Sequence, residues 1–130
     1  MQSIIPFFMF EGKAEEAMNF YISLFPNSGI TDIKRYGKNE AGPEGTVMKA
    51  KFTLNGTDYM CIDSPAKHAF GFTPSLSLFV NCDDEQAIDN LYRNLSEGGS
   101  VMMPLGAYPF AKKFCWVSDR FGVSWQLSLA

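Results

Sequence analysis

From Thr46 to Leu54 the chain alternates strictly. Met48, Ala50, Phe52 and Leu54 fall on one side and Lys49, Lys51 and Thr53 on the other, the period of two that marks a half-buried strand. Asn55-Gly56 follows, the dipeptide favoured in two-residue hairpin turns, so Thr57 to Asp63 is predicted to pair back. Upstream, Ser3 to Phe10 is apolar on both faces, as in a strand covered on both sides, although Pro6 favours an edge or an interrupted ladder. Ala14, Ala17, Met18, Tyr21 and Phe25 then recur at helical spacing. Glu15 and Glu16 lie in the first turn, where the helix dipole favours negative charge, and Pro26 and Gly29 end the run. Ile30 to Tyr36 reads as a short strand before the loop GKNEAGPEG. The order is strand, helix, strand, strand, strand.

The second half repeats it. Ser75 to Cys82 alternates Leu76, Leu78 and Val80 against Ser75, Ser77 and Phe79. Asp83 with Gln86 resembles a capping box, Ala87, Ile88, Leu91, Tyr92 and Leu95 form an apolar helical face, and Gly98-Gly99 reads as its C-cap. Ser100 to Met103 is expected as a short strand ended by Pro104. Two strands follow, in which Phe114, Trp116 and Ser118 alternate with Cys115 and Val117, and Val123, Trp125 and Leu127 with Ser124, Gln126 and Ser128. Asp119-Arg120-Phe121-Gly122 supplies the turn between them. Superposing Gly56 on Gly122 sets Tyr59 on Trp125 and Met60 on Gln126. The chain reads as one unit used twice, with modules at about residues 1–64 and 75–130. If Trp125 packs under a helix, Gln126 faces whatever the sheet encloses.

Composition narrows the function classes. The 130 residues suit one domain, or two small halves sharing a core. Twelve Phe within a 15% aromatic share exceed what a core of this size needs, which points to a lined cavity or a subunit interface. A net charge of -3 with dispersed Lys and Arg argues against a nucleic-acid partner. Cys61, Cys82 and Cys115 stand singly in apolar stretches and read as buried, reduced thiols of a cytoplasmic protein. No apolar run approaches the ~20 residues of a membrane span, and MQSIIPFF lacks a basic leader, so neither anchor nor secretion signal is expected. His68, the one histidine, reads as a solvated loop residue. Cys61 and Cys115 have no basic residue patterned to activate them, Asp119 reads as a turn residue, and no serine sits in a G-x-S-x-G setting.

IPFFMFEGKAEEAMNFYISLF, FTLNGTDYMCID, SLSLFVNCDDEQAIDNLYRNLSEGG and WVSDRFGVSWQL, in this order, resemble the vicinal oxygen chelate superfamily of glyoxalases, extradiol dioxygenases and bleomycin resistance proteins, and more closely its PhnB-like branch. The resemblance covers nearly the whole chain. It implies an α+β fold of two βαβββ modules, each a curved, cup-shaped mixed sheet with helices outside, commonly completed by a homodimer. Metal-binding relatives hold a divalent ion on the first and last strands of each module. Here those places fall on Pro6, Met60, Ser77 (or Ser75) and Gln126, and a catalytic divalent site draws on His, Cys, Asp and Glu. No metal and no cofactor are therefore expected. Some PhnB-like sequences carry a demethylubiquinone methyltransferase label, yet nothing resembles the glycine-rich turn that would hold S-adenosylmethionine. The favoured expectation is a metal-independent cup for a small apolar or mixed-polarity molecule, with Ser77 and Gln126 orienting it and Phe8, Met60 and Phe79 giving contact area. A metal-dependent enzyme of glyoxalase or dioxygenase type and a sequestering resistance protein stay open as alternatives, as does whether any reaction is catalysed.

Overall fold

The computed structural model describes residues 2–130. The chain divides into two compact units, residues 1–68 and 69–130. In the first, strand β1 (Phe7–Phe10) is followed by helix α1 (Ala14–Leu24) and strands β2 (Gly29–Arg35), β3 (Val47–Leu54) and β4 (Thr57–Asp63). The sheet order is β1-β4-β3-β2, with β1 parallel to β4 and the other pairs antiparallel. The second unit has β5 (Ser77–Asn81), α2 (Glu85–Ser96), β6 (Ser100–Tyr108), β7 (Ala111–Ser118) and β8 (Ser124–Leu129). Its order, β5-β8-β7-β6, repeats the first. This is a mixed α+β fold of two βαβββ modules.

Each helix covers one face of its own sheet. Ala14, Ala17, Met18 and Tyr21 of α1 are buried against a sheet face on which Phe8, Ala50, Phe52 and Cys61 are also buried. In the second unit Ile88, Leu91 and Leu95 of α2 meet a face carrying Cys115, Val117, Trp125 and Leu127. Each large apolar side chain so buried contributes about 1.5–3 kcal/mol.

Several boundaries differ from the sequence reading. β1 starts at Phe7, because Pro6 has no N–H to give; its carbonyl still accepts from Met60 N at 2.9 Å. The cap of α2 is Asp84, not Asp83, and its carboxylate accepts from Ala87 N at 2.8 Å. Beyond α2, Glu97 (φ -66, ψ 122) and Gly98 (φ 76) form a turn in which Gly99 N donates to Ser96 O at 3.1 Å. A positive φ at the third position of such a type II turn requires glycine or its like. The helix thus ends at its C-cap, Glu97, with Gly98 next in line supplying the positive φ. Most substantially, β6 does not stop at Pro104. It runs to Tyr108 through register shifts, which an edge strand tolerates because its outer side needs no ladder partner.

Buried carboxylates fasten the loops. Asp63 Oδ1 accepts from Gly12 N at 2.8 Å and Ala14 N at 2.9 Å, and Oδ2 from Val47 N at 2.9 Å. The first turn of α1, which lacks a side-chain cap of its own, is thereby satisfied from the end of β4. Asp119 Oδ1 accepts from Phe121 N at 2.8 Å and Val123 N at 3.0 Å, and its Oδ2 from Trp125 Nε1 at 2.9 Å.

Candidate ligand-binding face

Alternation fixes what each sheet turns away from its helix. In the second unit Phe79 pairs with Gln126, Ser77 with Ser124, and Trp116 with Gln126, so these residues share the face opposite Trp125. Gln126 and Ser77, expected together from sequence, are in contact: Gln126 Nε2 donates to Ser77 Oγ at 3.3 Å. Two residues that sequence reasoning missed extend the contact. Ser77 Oγ lies 2.7 Å from Ser124 Oγ, and Trp116 Nε1 donates to Ser124 Oγ at 2.8 Å. Ser124 is buried, whereas Ser77, Trp116 and Gln126 are half-buried. The available signal was parity, since Trp116, Ser124 and Gln126 all alternate out of the helix-covered row.

Beside this polar row lies a cluster of rings. Phe114 is within 6.5 Å of Phe79, 5.8 Å of Tyr108 and 4.9 Å of Phe110, centroid to centroid, with the last two approached edge-on. Phe79 and Phe110 stay 55% and 64% exposed. Large rings left in water next to a few linked polar groups have the chemistry of a face that receives an apolar molecule.

The first unit places its expected residues differently. Met60 pairs with Phe7 on the face opposite α1. Phe8 does not join them. It pairs with Cys61, is 7% exposed, and packs against Phe10 and Tyr59 at 6.4 and 6.1 Å. The role expected for Phe8 is thus corrected: it belongs to the core under α1, and Phe7, 52% exposed, takes the open side. A strand apolar on both faces gave no alternation by which to choose between them.

His68 is bonded within its loop, Nε2 to Ser64 Oγ at 2.9 Å. A pocket of about 340 Å³ opens beside Ser64, Asp63 and Lys67, but Asp63 is committed to its three backbone donors. The thiols are passive. Burial, with some help from the Asp63 charge, pushes Cys61 up to about 12, and burial likewise raises Cys115 to about 12. Among the described residues no group of three or more His, Cys, Asp or Glu is gathered to hold a metal ion. Met60, Ser77 and Gln126, at the places where the resemblance puts metal ligands, offer a thioether, a hydroxyl and an amide, a set poorly matched to a catalytic divalent ion. Nor is any helix long and apolar enough to cross a membrane among those residues.

A family model described as 3-demethylubiquinone-9 3-methyltransferase matches residues 2–128. Among solved structures, a PhnB protein from Bacillus cereus is 58% identical, with a TM-score of 0.97 over 99% of this chain and 100% of that one. A protein from Pseudomonas aeruginosa is 28% identical, with a TM-score of 0.84 over 99% and 98%. A glyoxalase-related enzyme from Fulvimarina pelagi shares the fold alone, at 13% identity and a TM-score of 0.58 over 100% and 89%. No curated protein matches the chain. Duplicated βαβββ topology, the family match and the Bacillus cereus structure agree: the chain belongs to the 3-demethylubiquinone-9 3-methyltransferase-like, or PhnB-like, family.

Proposed function

We propose that this protein binds a small, largely apolar molecule on the open face of its second sheet, without a metal ion. Ser77 and Gln126 orient the molecule, and Phe79, Phe110 and Tyr108, packed on the buried Phe114, supply contact area. The observation that carries this reading is the juxtaposition on one uncovered face of a ring cluster and a connected polar row. Pockets for small ligands have that make-up.

The family description speaks of methyl transfer. A nucleoside methyl donor is usually held by a glycine-rich turn after a strand, with backbone open to the ligand. The one adjacent glycine pair, Gly98-Gly99, follows a helix, and a Cβ on Gly99 would meet the Ser118 carbonyl at 2.0 Å. That space is filled by the chain itself. These residues do not fit the donor.

A homodimer in a reducing, cytoplasmic setting completes the proposal. Three free thiols support the compartment, and exposed Ile4, Phe70 and Leu76 support pairing with a second copy. Sedimentation equilibrium tests the pairing. Thermal-shift screening of small aromatic compounds tests the ligand site, because a ligand at about one hundred times its Kd stabilises by about 2.7 kcal/mol. Hits should weaken in Phe79→Ala, which removes an exposed ring and leaves the core alone. A flat response across the whole panel at millimolar concentrations would sink the binder reading.

A further inference from the structure

We infer that the molecule taken by this face is a neutral ring compound engaged through an acceptor oxygen, as in an aryl ketone, because the Trp116–Ser124–Ser77–Gln126 row leaves hydrogens of Ser77 and Gln126 without an acceptor in the row. The inference rests on the proposed binding face and goes further by naming the ligand's chemical class.

Trp116 Nε1 can only donate, and it donates to Ser124 Oγ. Ser124 is 1% exposed, so its own hydroxyl hydrogen cannot go to water, and leaving a buried donor unmade is costly. The neighbour within reach is Ser77 Oγ at 2.7 Å. The Ser–Ser bond therefore runs from Ser124 to Ser77. Ser77 Oγ also receives Gln126 Nε2 at 3.3 Å. With both lone pairs engaged, the hydrogen of Ser77 has no acceptor within the row, and neither has the second amide hydrogen of Gln126. Turning the Gln126 amide over changes little. Ser77 would then donate to Oε1, and both hydrogens of the Gln126 amide nitrogen would be left. Either way two hydrogens stand ready on half-buried side chains, beside at least one open lone pair of Gln126 Oε1, and the group that satisfies those hydrogens is an oxygen with lone pairs.

The surroundings choose among such oxygens. Phe79 is the register partner of Gln126, and Phe114 links it to Tyr108 and Phe110. No member of the polar row or of this ring cluster carries a charge. Neutral donors among rings favour a carbonyl on a flat, conjugated body over a carboxylate or phosphate, which would bring an uncompensated charge onto the same face.

Calorimetric titration of the 130-residue chain with 2-acetylnaphthalene, 2-ethylnaphthalene and 2-naphthoate tests this. The ketone should bind at least about ten-fold more tightly than the other two, the worth of one good hydrogen bond. It should also shift the Gln126 side-chain amide resonances. Ser77→Ala should reduce the ketone's advantage over the hydrocarbon by roughly ten-fold. Ser124 acts as a positioning residue, so Ser124→Ala should narrow the same ratio while sparing hydrocarbon binding. Equal affinity for ketone and hydrocarbon, tightest binding of the naphthoate, or an unchanged ratio in Ser77→Ala would overturn the ligand class and leave the face a binding site. If none of the three binds at millimolar concentration, the binding face itself is refuted along with the ligand class. The wild-type ratio decides the matter even where a variant fails to fold.

Discussion

Replacing Asp119 by Asn changes one oxygen for an NH2 group and almost no volume. The carboxylate receives three donors, from Phe121 N and Val123 N on Oδ1 and from the Trp125 indole on Oδ2. An amide has one oxygen to offer. If that oxygen stays with the two backbone groups, the amide NH2 faces the indole N–H, donor to donor; if it turns to the indole, the NH2 faces both backbone N–H groups. Asp119 is 3% exposed and Trp125 1%, so water cannot relieve the conflict. Losing a charge-assisted bond costs about 1.5–3 kcal/mol and an unpaired buried donor about 1–3 kcal/mol. These overlap, and a net loss of about 2–4 kcal/mol is expected. At roughly 3–5 °C per kcal/mol for a chain of this size, Tm should fall by on the order of 10 °C. Urea denaturation followed by circular dichroism measures it, with Trp125→Phe as the second arm. Without the indole N–H, Asp119→Asn should cost about 1–3 kcal/mol less, a coupling that a double-mutant cycle isolates. A single variant within about 0.5 kcal/mol of wild type, or a coupling of zero, would refute the account of this turn.

Other outcomes follow from the same structure. Gly99→Ala drives a methyl against the Ser118 carbonyl and the Asp119 backbone, so it should destabilise by about 3 kcal/mol or prevent soluble expression. Asp63→Asn puts an NH2 against a backbone N–H either at α1 or at Val47, and hydrogen exchange of Gly12, Ala14 and Val47 should show which end loosens. Cys61 and Cys115 are held near 12 by burial, above the ordinary thiol value of 9.0. The unfolded chain therefore loses these protons first, and stability that is intact below pH 9 should decline progressively up to about pH 12. Urea midpoints across that range, compared with Cys61→Ala, would show it, and a midpoint independent of pH would contradict it.

Elements with one clear period could be read from sequence. β3, β4, both helices and the β7–β8 pair announce themselves by alternation or helical spacing, and Asn55 (φ 50) with Gly56 (φ 82) forms the hairpin turn the dipeptide promised. Gln126 and Ser77 were legible for the same reason, since both fall out of step with the apolar row beneath α2. What escaped lacked such a signal. Phe8 sits in an apolar strand whose facing is set by its register with β4. The continuation of β6 past Pro104 depends on its being an edge, a property of the sheet order. The part played by Asp63 joins residues about fifty positions apart, and Ser124 gains meaning only when Trp116 and Ser77 arrive beside it.

The duplication sharpens the assignment of the site to one module, because the two open faces can be compared place by place. Lys51 stands to Met60 as Trp116 stands to Gln126, each a cross-strand partner. Asp58 precedes Met60 by two residues, as Ser124 precedes Gln126. Where the second sheet has the Trp116–Ser124 hydrogen bond, the first therefore has the Lys51–Asp58 ion pair, 3.5 Å long with both side chains over 40% exposed. An exposed pair of that kind contributes at most about 1 kcal/mol and remains hydrated. Ile5, two residues before Phe7, occupies the place of Ser77 and offers no hydroxyl. The first face therefore has no counterpart to the second's row of linked donors. An aryl ketone should accordingly titrate with one site per chain. Met60→Gln, which restores the amide without the serines, should leave that stoichiometry at one; a second site of equal affinity, in the wild type or in this variant, would show that the serine row is dispensable.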